Sequence, residues 1–178
     1  TQIGTFSDRL RDAVRGGSPF DADPRVQGFG TGLLTDPNDS PANGNGYDQR
    51  DRLLYYSDLI QLGLAGTLRD VTFVSALRAQ PVRGDAIEYN GGPAGYCDAP
   101  DEAVNYVDAH DNETLFDALT LKLPVSTPMD ERVRSNTFCL ALATLGQSPV
   151  LWHAGSDFLR SSRMPLSNSD FAMTSARS

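Results

Sequence analysis

The stretch V-N-Y-V-D-A-H-D-N-E-T-L-F-D at residues 104–117 decides how this chain folds. Residues 104–107 alternate in part between apolar and polar side chains, which favours a short β-strand, whereas the residues from Glu113 onward favour a helix. The triplet His110-Asp111-Asn112 therefore falls between the end of a strand and the start of a helix. In α/β barrels and doubly wound folds, ligand-binding groups collect at that end of the strands.

Two interpretations of this triplet follow from its chemistry. A neutral imidazole gives and takes hydrogen bonds at once, and a carboxylate accepts two, so His110 and Asp111 suit a polyhydroxylated ligand. Alternatively, Asp111 or Asn112 caps the following helix, and Glu113 suits the positive end of that helix. The spacing alone favours the cap, because Asp and Asn are common at that position.

Length, composition and charge limit the classes of protein to which this chain can belong. The chain has 178 residues, which is long enough for one globular domain with a sizeable core. Its residues are 39% hydrophobic and 21% charged, as is typical of globular proteins. Its net charge of −8 argues against a nucleic-acid partner and is compatible with a neutral sugar. No apolar run approaches the length of a membrane span. Cys97 and Cys139 lack the spacing of a zinc site or a disulfide framework, and we predict no metal site.

Strand-like and helical segments alternate along the chain. The pattern predicts strands ending near residue 6, over 70–76, over 104–107 and over 148–153. It predicts helices over 9–15, from Asp48 or Asp51 to about residue 64, over 113–123, and from Thr127-Pro128 to about residue 145. Such β–α alternation predicts parallel strands joined by right-handed crossovers.

Two loops separate these elements. Residues 35–47 are rich in Pro, Asn, Asp and Gly and predict a long loop. Residues 81–101 predict another, in which Tyr89 and Tyr96 either stack on a sugar or pack the loop against the domain. The three arginines of the first helix, Arg9, Arg11 and Arg15, either bind a polar ligand or form ion pairs, and ion pairs are favoured.

Four motifs carry a resemblance to a known family. They are G-T-F-S-D-R-L-R-D-A-V-R-G-G at 4–17, E-Y-N-G-G-P-A-G-Y at 88–96, N-Y-V-D-A-H-D-N-E-T-L-F-D at 105–117 and L-G-Q-S-P-V-L-W-H-A-G-S-D-F-L-R-S at 145–161. Together and in this order they resemble bacterial pullulanases, which are type I debranching enzymes of the α-amylase superfamily.

The resemblance implies a fold and a site. The fold would be α/β, a partial (β/α)8 TIM barrel made of about strands six to eight with their helices and long loops. Residues 1–161 would form this C-terminal portion of a glycoside hydrolase barrel, and residues 162–178 would be a divergent tail. Asp111 would be the catalytic carboxylate that stabilises the transition state, and His110 and Asn112 would bind substrate.

The resemblance also implies an activity, namely retaining hydrolysis of α-1,6-glucosidic linkages in pullulan, amylopectin or limit dextrins. Retention needs a nucleophile and a general acid about 5 Å apart, and neither family motif is found in this chain. We therefore expect a fragment that is inactive alone, whose partners are an α-glucan and the remainder of the parent barrel, with no nucleic-acid or membrane partner.

Several points stay open at this level. No cofactor is expected. The resemblance allows calcium in the parent enzyme, but no residues of this chain can be assigned to a calcium site. Localisation is open between secreted, cell-surface and cytoplasmic. The alternatives to pullulanase-type hydrolysis are a non-catalytic glucan-binding or scaffold remnant of the same barrel, and isoamylase-like debranching. Asp157 stands where the family usually has Glu, which puts a polar role there in doubt.

Overall fold

Four α-helices and six short strands form this computed structural model, which describes residues 4–18 and 20–162. Within those residues the strands are β1 Thr5–Phe6, β2 Thr72–Val74, β3 Pro81–Arg83, β4 Glu88–Tyr89, β5 Gly92–Pro93 and β6 Ala103–Val104. The helices are α1 Asp8–Arg15, α2 Gly46–Leu64, α3 Leu115–Lys122 and α4 Met129–Thr144.

Parallel pairing of three extended segments forms the frame of the structure. β1 pairs in parallel with β6, with Thr5 opposite Ala103, and an isolated parallel bridge then joins Asn105 to Val150. Helices α1 and α2 lie between the first two segments in sequence, and α3 and α4 lie between the second and third. The predicted α/β class and the parallel pairing of these three segments are therefore confirmed, whereas the strand predicted over 70–76 does not join them, because Thr72–Val74 pairs antiparallel with Pro81–Arg83. The predicted strand over 148–153 is reduced to the single bridge at Val150.

The core lies between the helices and this frame. Leucines from α1, α2 and α3 are fully or almost fully buried in it, together with Cys139 of α4. Burying each such leucine contributes about 1.5–3 kcal/mol, so the core supplies most of the favourable free energy of folding. Helices α1 and α2 approach closely at Gly63, where an added Cβ would lie 2.9 Å from Leu10 Cδ1.

The second helix begins earlier than predicted. The sequence predicts a start at Asp48 or Asp51, whereas α2 starts at Gly46 and Asn45 is its N-cap. The side chain of Asn45 accepts from the amide of Asp48 at 3.2 Å, and the carboxylate of Asp48 accepts from the amide of Asn45 at 3.0 Å. Asp48 is therefore the third helical residue of a capping box rather than the cap itself.

Two small hairpins occupy the region between α2 and β6. β2 pairs antiparallel with β3, and β4 pairs antiparallel with β5. The prediction that residues 81–101 are loop throughout is therefore wrong in part, because short strands form on either side of the turn at Asn90 and Gly91, both of which have positive φ. Helices α3 and α4 follow their predictions to within two residues at each end.

Candidate active site

The carboxyl ends of the parallel segments open onto one groove of about 240 Å³. Its lining comes from all three segments and the residues that follow them. The aromatic side chains in the lining are Phe6, Tyr106 and Trp152, and the polar ones are His110, Asp111 and His153. The structure thus brings His110 and Asp111 together on a groove at the edge where an α/β fold gathers its ligand-binding groups.

His110 and Asp111 are exposed on the turn that leaves β6. Among the described residues, neither side chain forms a hydrogen bond or an ion pair with another part of the chain. Asp111 is also the one carboxylate in the lining of the groove, within the part of the chain that is described. An imidazole and a carboxylate that are both unpartnered can bind the hydroxyl groups of a ligand without first breaking contacts inside the protein. Asn112 is half-buried and lies outside the lining.

The interpretation that Asp111 or Asn112 caps the next helix is wrong. The N-cap of α3 is Thr114, whose side chain accepts from the amide of Asp117 at 3.3 Å. The amide of Leu115 donates to Asp108 Oδ2 at 2.8 Å. Because other side chains satisfy the helix start, the groups of His110 and Asp111 are left for another use.

A buried carboxylate that sequence reasoning missed holds this turn in place. Asp108 is 1% exposed, and its Oδ2 accepts from the amide of Leu115 and from Ser156 Oγ at 2.7 Å. It therefore links the chain after β6 to the start of α3 and to the loop after Val150. The sequence held one signal for this role, since Asp108 comes directly after the apolar strand residues and two positions before His110.

The loop after Val150 completes the groove. Ser156 belongs to a short 3-10 turn and is buried, and its carbonyl accepts from Asn136 Nδ2 at 2.9 Å. Asp157, the position that departs from the family pattern, is exposed on the same turn. The polar contact that ties this loop to the site is therefore made by Ser156 and not by its acidic neighbour.

A network of ion pairs and hydrogen bonds holds Tyr106, one of the residues that line the groove. Tyr106 donates to Asp8 Oδ1 at 2.6 Å, and Arg11 pairs with Asp8 at 3.0 Å and with Asp12 at 2.8 Å. Burial raises the pKa of the Asp12 carboxyl, although Tyr89 donates to it at 2.6 Å. Burial likewise raises the pKa of the Tyr106 phenol, which stays protonated as a donor. The network fixes the Tyr106 ring beside the Phe6 ring, 5.0 Å away.

The arginines of α1 and the tyrosines that follow α2 contact one another and other parts of the chain. Arg9 lies between the rings of Tyr89 and Tyr96, at 4.9 Å and 4.4 Å from their centroids. Arg15 is buried and pairs with Glu113 at 3.6 Å. The favoured prediction of ion pairs is confirmed for Arg11 and Arg15, and the two tyrosines pack against Arg9, whereas their stacking on a sugar stays a prediction.

Neither a membrane span nor a metal cluster occurs in the described part of the chain. No helix there is long and apolar enough to cross a membrane. Within residues 4–18 and 20–162, no three His, Cys, Asp or Glu side chains come together as a metal site requires.

The structure is an α/β chain with a groove at one edge of its parallel segments, and comparisons with known proteins show what it is similar to. No family model matches the chain. It is 43% identical over 164 residues to a pullulanase of Klebsiella aerogenes, and 40% identical over 163 residues to the chloroplastic pullulanase 1 of Arabidopsis thaliana. Each match covers 90% of this chain.

A solved structure agrees with these relatives. The pullulanase of Klebsiella pneumoniae complexed with maltotriose superposes with a TM-score of 0.81 at 42% identity, and the match covers 89% of this chain and 15% of that one. The chain therefore belongs among the homologues of pullulanases. It spans 14% of the length of the Klebsiella aerogenes relative and 16% of the Arabidopsis one.

Proposed function

We propose that this chain forms one wall of the active site of an enzyme that hydrolyses α-1,6-glucosidic linkages in pullulan, amylopectin or limit dextrins. The observation that carries the proposal is that His110 and Asp111, on a groove at the ends of parallel strands, have no side-chain partner among the described residues. Support comes from the homology to pullulanases, one of which was solved with maltotriose.

Each residue of the turn has a role in this proposal. Positive charge develops on the sugar ring in the oxocarbenium-like transition state, and the free carboxylate of Asp111 would stabilise that charge. His110 would bind a hydroxyl group of the same sugar, because its imidazole can donate and accept. Asn112 stays a predicted substrate contact, and its half-buried position beside the groove would require a small movement of the turn.

The retaining mechanism requires two more carboxylates than the groove contains. Retaining glycosidases use a nucleophile and a general acid about 5 Å apart, on either side of the scissile bond. Asp111 has no carboxylate neighbour in the lining of the groove among the described residues. In our proposal the nucleophile and the acid come from other strands of a longer parent enzyme, so the 178-residue chain alone does not turn over substrate.

The proposed architecture is part of a (β/α)8 barrel. The three parallel segments, in the order of Thr5–Phe6, Ala103–Val104 and Val150, would be its sixth to eighth strands. Residues 1–161 would belong to the barrel, and residues 162–178 would be a divergent tail, of which only Ser162 lies within the described residues. The substrate and the remainder of the barrel would be the partners of the chain.

A second candidate is a non-catalytic glucan-binding remnant of the same barrel. The observation that favours it is the lone carboxylate of the groove. Binding of sugar would then depend on His110 and the aromatic side chains, and replacement of Asp111 by Asn would change no reaction. Isoamylase-like debranching is the alternative within enzymes, and it differs in its preference between pullulan and glycogen.

The test uses the full-length enzyme that carries this segment, with the 178-residue chain assayed beside it. We expect the full-length enzyme to release reducing sugar from pullulan faster than from glycogen, with the α-anomer appearing first in the proton NMR spectrum of the products. The 178-residue chain should release none. A first product in the β-configuration would contradict retention, a preference for glycogen would favour the isoamylase-like alternative, and absence of hydrolysis by the full-length protein would favour the binding remnant.

A further inference from the structure

A second histidine lies on the groove, far from His110 in sequence. His153 follows Val150 at the end of the third parallel segment, and its side chain is 19% exposed in the lining that also contains His110 and Asp111. The sequence places His153 at the end of a predicted strand and indicates no further role for it.

The two ring nitrogens of His153 face different partners. Nδ1 is buried, 4.0 Å from Asp108 Oδ2, and has no hydrogen-bond partner among the described residues. Nε2 lies 3.2 Å from NH1 of Arg160, an exposed side chain. Asp108 Oδ1 is a second buried atom without a hydrogen-bond partner among the described residues.

These contacts determine which nitrogen of the neutral ring carries the proton. A guanidinium group can only donate, so Nε2 must accept the hydrogen bond from Arg160. The proton of the neutral imidazole then lies on Nδ1, where it faces the carboxylate of Asp108. Aspartate on one side and arginine on the other therefore favour the same tautomer, with Nε2 held as an acceptor.

Arg160 covers this acceptor from a loop that folds back on itself. The amide of Arg160 donates to Gly155 O at 3.0 Å, and its guanidinium donates to Ala154 O at 3.1 Å. Gly155 has a φ of 94°, and a Cβ added there would lie 3.1 Å from Arg160 Cβ. Because Arg160 is exposed, its guanidinium can exchange the contact with Nε2 for contacts with water at little cost.

We propose that His153 is a further substrate-binding residue, whose Nε2 accepts a hydrogen bond from a glucan hydroxyl group that takes the place of Arg160. The proposal rests on the proposed function, because it assigns the groove an α-glucan ligand. The two histidines of the groove then have different tasks. Within the described residues His110 has no partner before the ligand arrives, whereas Nδ1 of His153 lies 4.0 Å from Asp108 and its Nε2 becomes available only when Arg160 moves away.

Imidazole NMR tests this proposal on the 178-residue chain, because His110 and His153 are its only histidines. A His110→Asn variant leaves one imidazole and so assigns both. We expect long-range proton–nitrogen spectra to show His153 mainly as the Nδ1–H tautomer, and an Arg160→Met variant to shift it toward Nε2–H. Titration with maltotriose should then move the Nε2 resonance of His153 together with the resonances of His110.

Two substitutions separate a binding role from a structural one. In His153→Gln the amide lies near the former position of Nε2, whereas in His153→Asn it lies near the former position of Nδ1. We expect Asn to weaken maltotriose binding by about tenfold and Gln by no more than about threefold, since one hydrogen bond is at stake. Circular dichroism of both variants serves as the control for folding.

The outcomes distinguish the two proposals. If maltotriose moves the resonances of both histidines and Gln retains binding better than Asn, the assignment of His153 is supported. If maltotriose moves only those of His110, the groove binds glucan and the role of His153 is overturned. If it moves neither, glucan binding by the groove is overturned as well. An Nε2–H tautomer in the free protein would also overturn the role of His153.

Discussion

Within residues 108–114, the polar side chains at the two ends and those in the middle differ in their burial and hydrogen bonding. Asp108 and Thr114 are buried, and both accept hydrogen bonds from backbone amides of the helix start. Between them, His110 and Asp111 are exposed and have no partner among the described residues. The difference shows how an exposed turn can be held in place without using its own side chains. The flanking residues satisfy the backbone, which leaves the two residues of the turn free for a ligand.

The largest effect on stability is expected at Asp108. Replacement by Ala leaves the amide of Leu115 and the hydroxyl of Ser156 unpaired in the interior, which should lower the free energy of unfolding by about 2–3 kcal/mol. Asp108→Asn keeps an acceptor oxygen and should cost about 1 kcal/mol. Urea unfolding followed by circular dichroism measures both. Equal stability of Asp108→Ala and the wild type would remove Asp108 as the anchor of the turn.

A second buried polar group, Lys122, holds the C-terminal end of α3 against the loop after α1. Its ammonium donates to Gly16 O at 2.8 Å and to Val26 O at 2.6 Å, and burial, assisted by the charge of Arg15, lowers its pKa to about 8. Between pH 8 and 10 the unfolded chain therefore binds a proton at Lys122 that the folded chain has released. The free energy of unfolding should rise by about 2 kcal/mol over that interval.

Lys122→Met is the matched variant for this pH effect. It lacks the titrating group, so its stability should rise less between pH 8 and 10 than that of the wild type, as measured by urea unfolding at several pH values. The comparison subtracts the other titrating groups, including the tyrosines. Parallel curves for the two proteins would show that Lys122 keeps an ordinary pKa in the folded chain.

A smaller effect is expected at the cap of α3. Thr114→Ala removes the acceptor for the amide of Asp117 and should lower the free energy of unfolding by about 1 kcal/mol, whereas Thr114→Ser keeps the oxygen and should cost much less. Thermal unfolding compares the two variants. If Ser and Ala were equally destabilising, the loss would come from the methyl group of Thr114 and not from the cap.

Parts of this structure that depend on local pattern could be predicted from sequence. The helix of residues 9–15, the other three helices, and the placement of His110 and Asp111 after a strand all follow from periodicity and turn residues. The start of α2 could not be fixed from composition, because Asn45 and Asp48 are both good caps and only the reciprocal hydrogen bonds distinguish them.

The parts that depend on contacts distant in sequence were not predictable. The link from Asp108 to Ser156 joins residues 48 positions apart, and the link from His153 to Asp108 depends on how the third segment docks. The cap at Thr114 was missed for a related reason. Asp111 and Asn112 are equally suited to capping by type, and only the position at which the backbone becomes helical decides between them and Thr114.

The most direct test of the account is the effect of Asp111→Asn on the full-length enzyme that carries this segment. We expect kcat on pullulan to fall by about 10²–10³-fold, because the substitution removes the charge that stabilises the transition state. The dissociation constant for maltotriose and the thermal stability should stay close to those of the wild type, since Asp111 is exposed and has no partner within residues 4–18 and 20–162. Asp157→Asn, at an exposed carboxylate outside the groove, serves as the control. A kcat within about twofold of the wild type for Asp111→Asn would contradict the catalytic role of this turn.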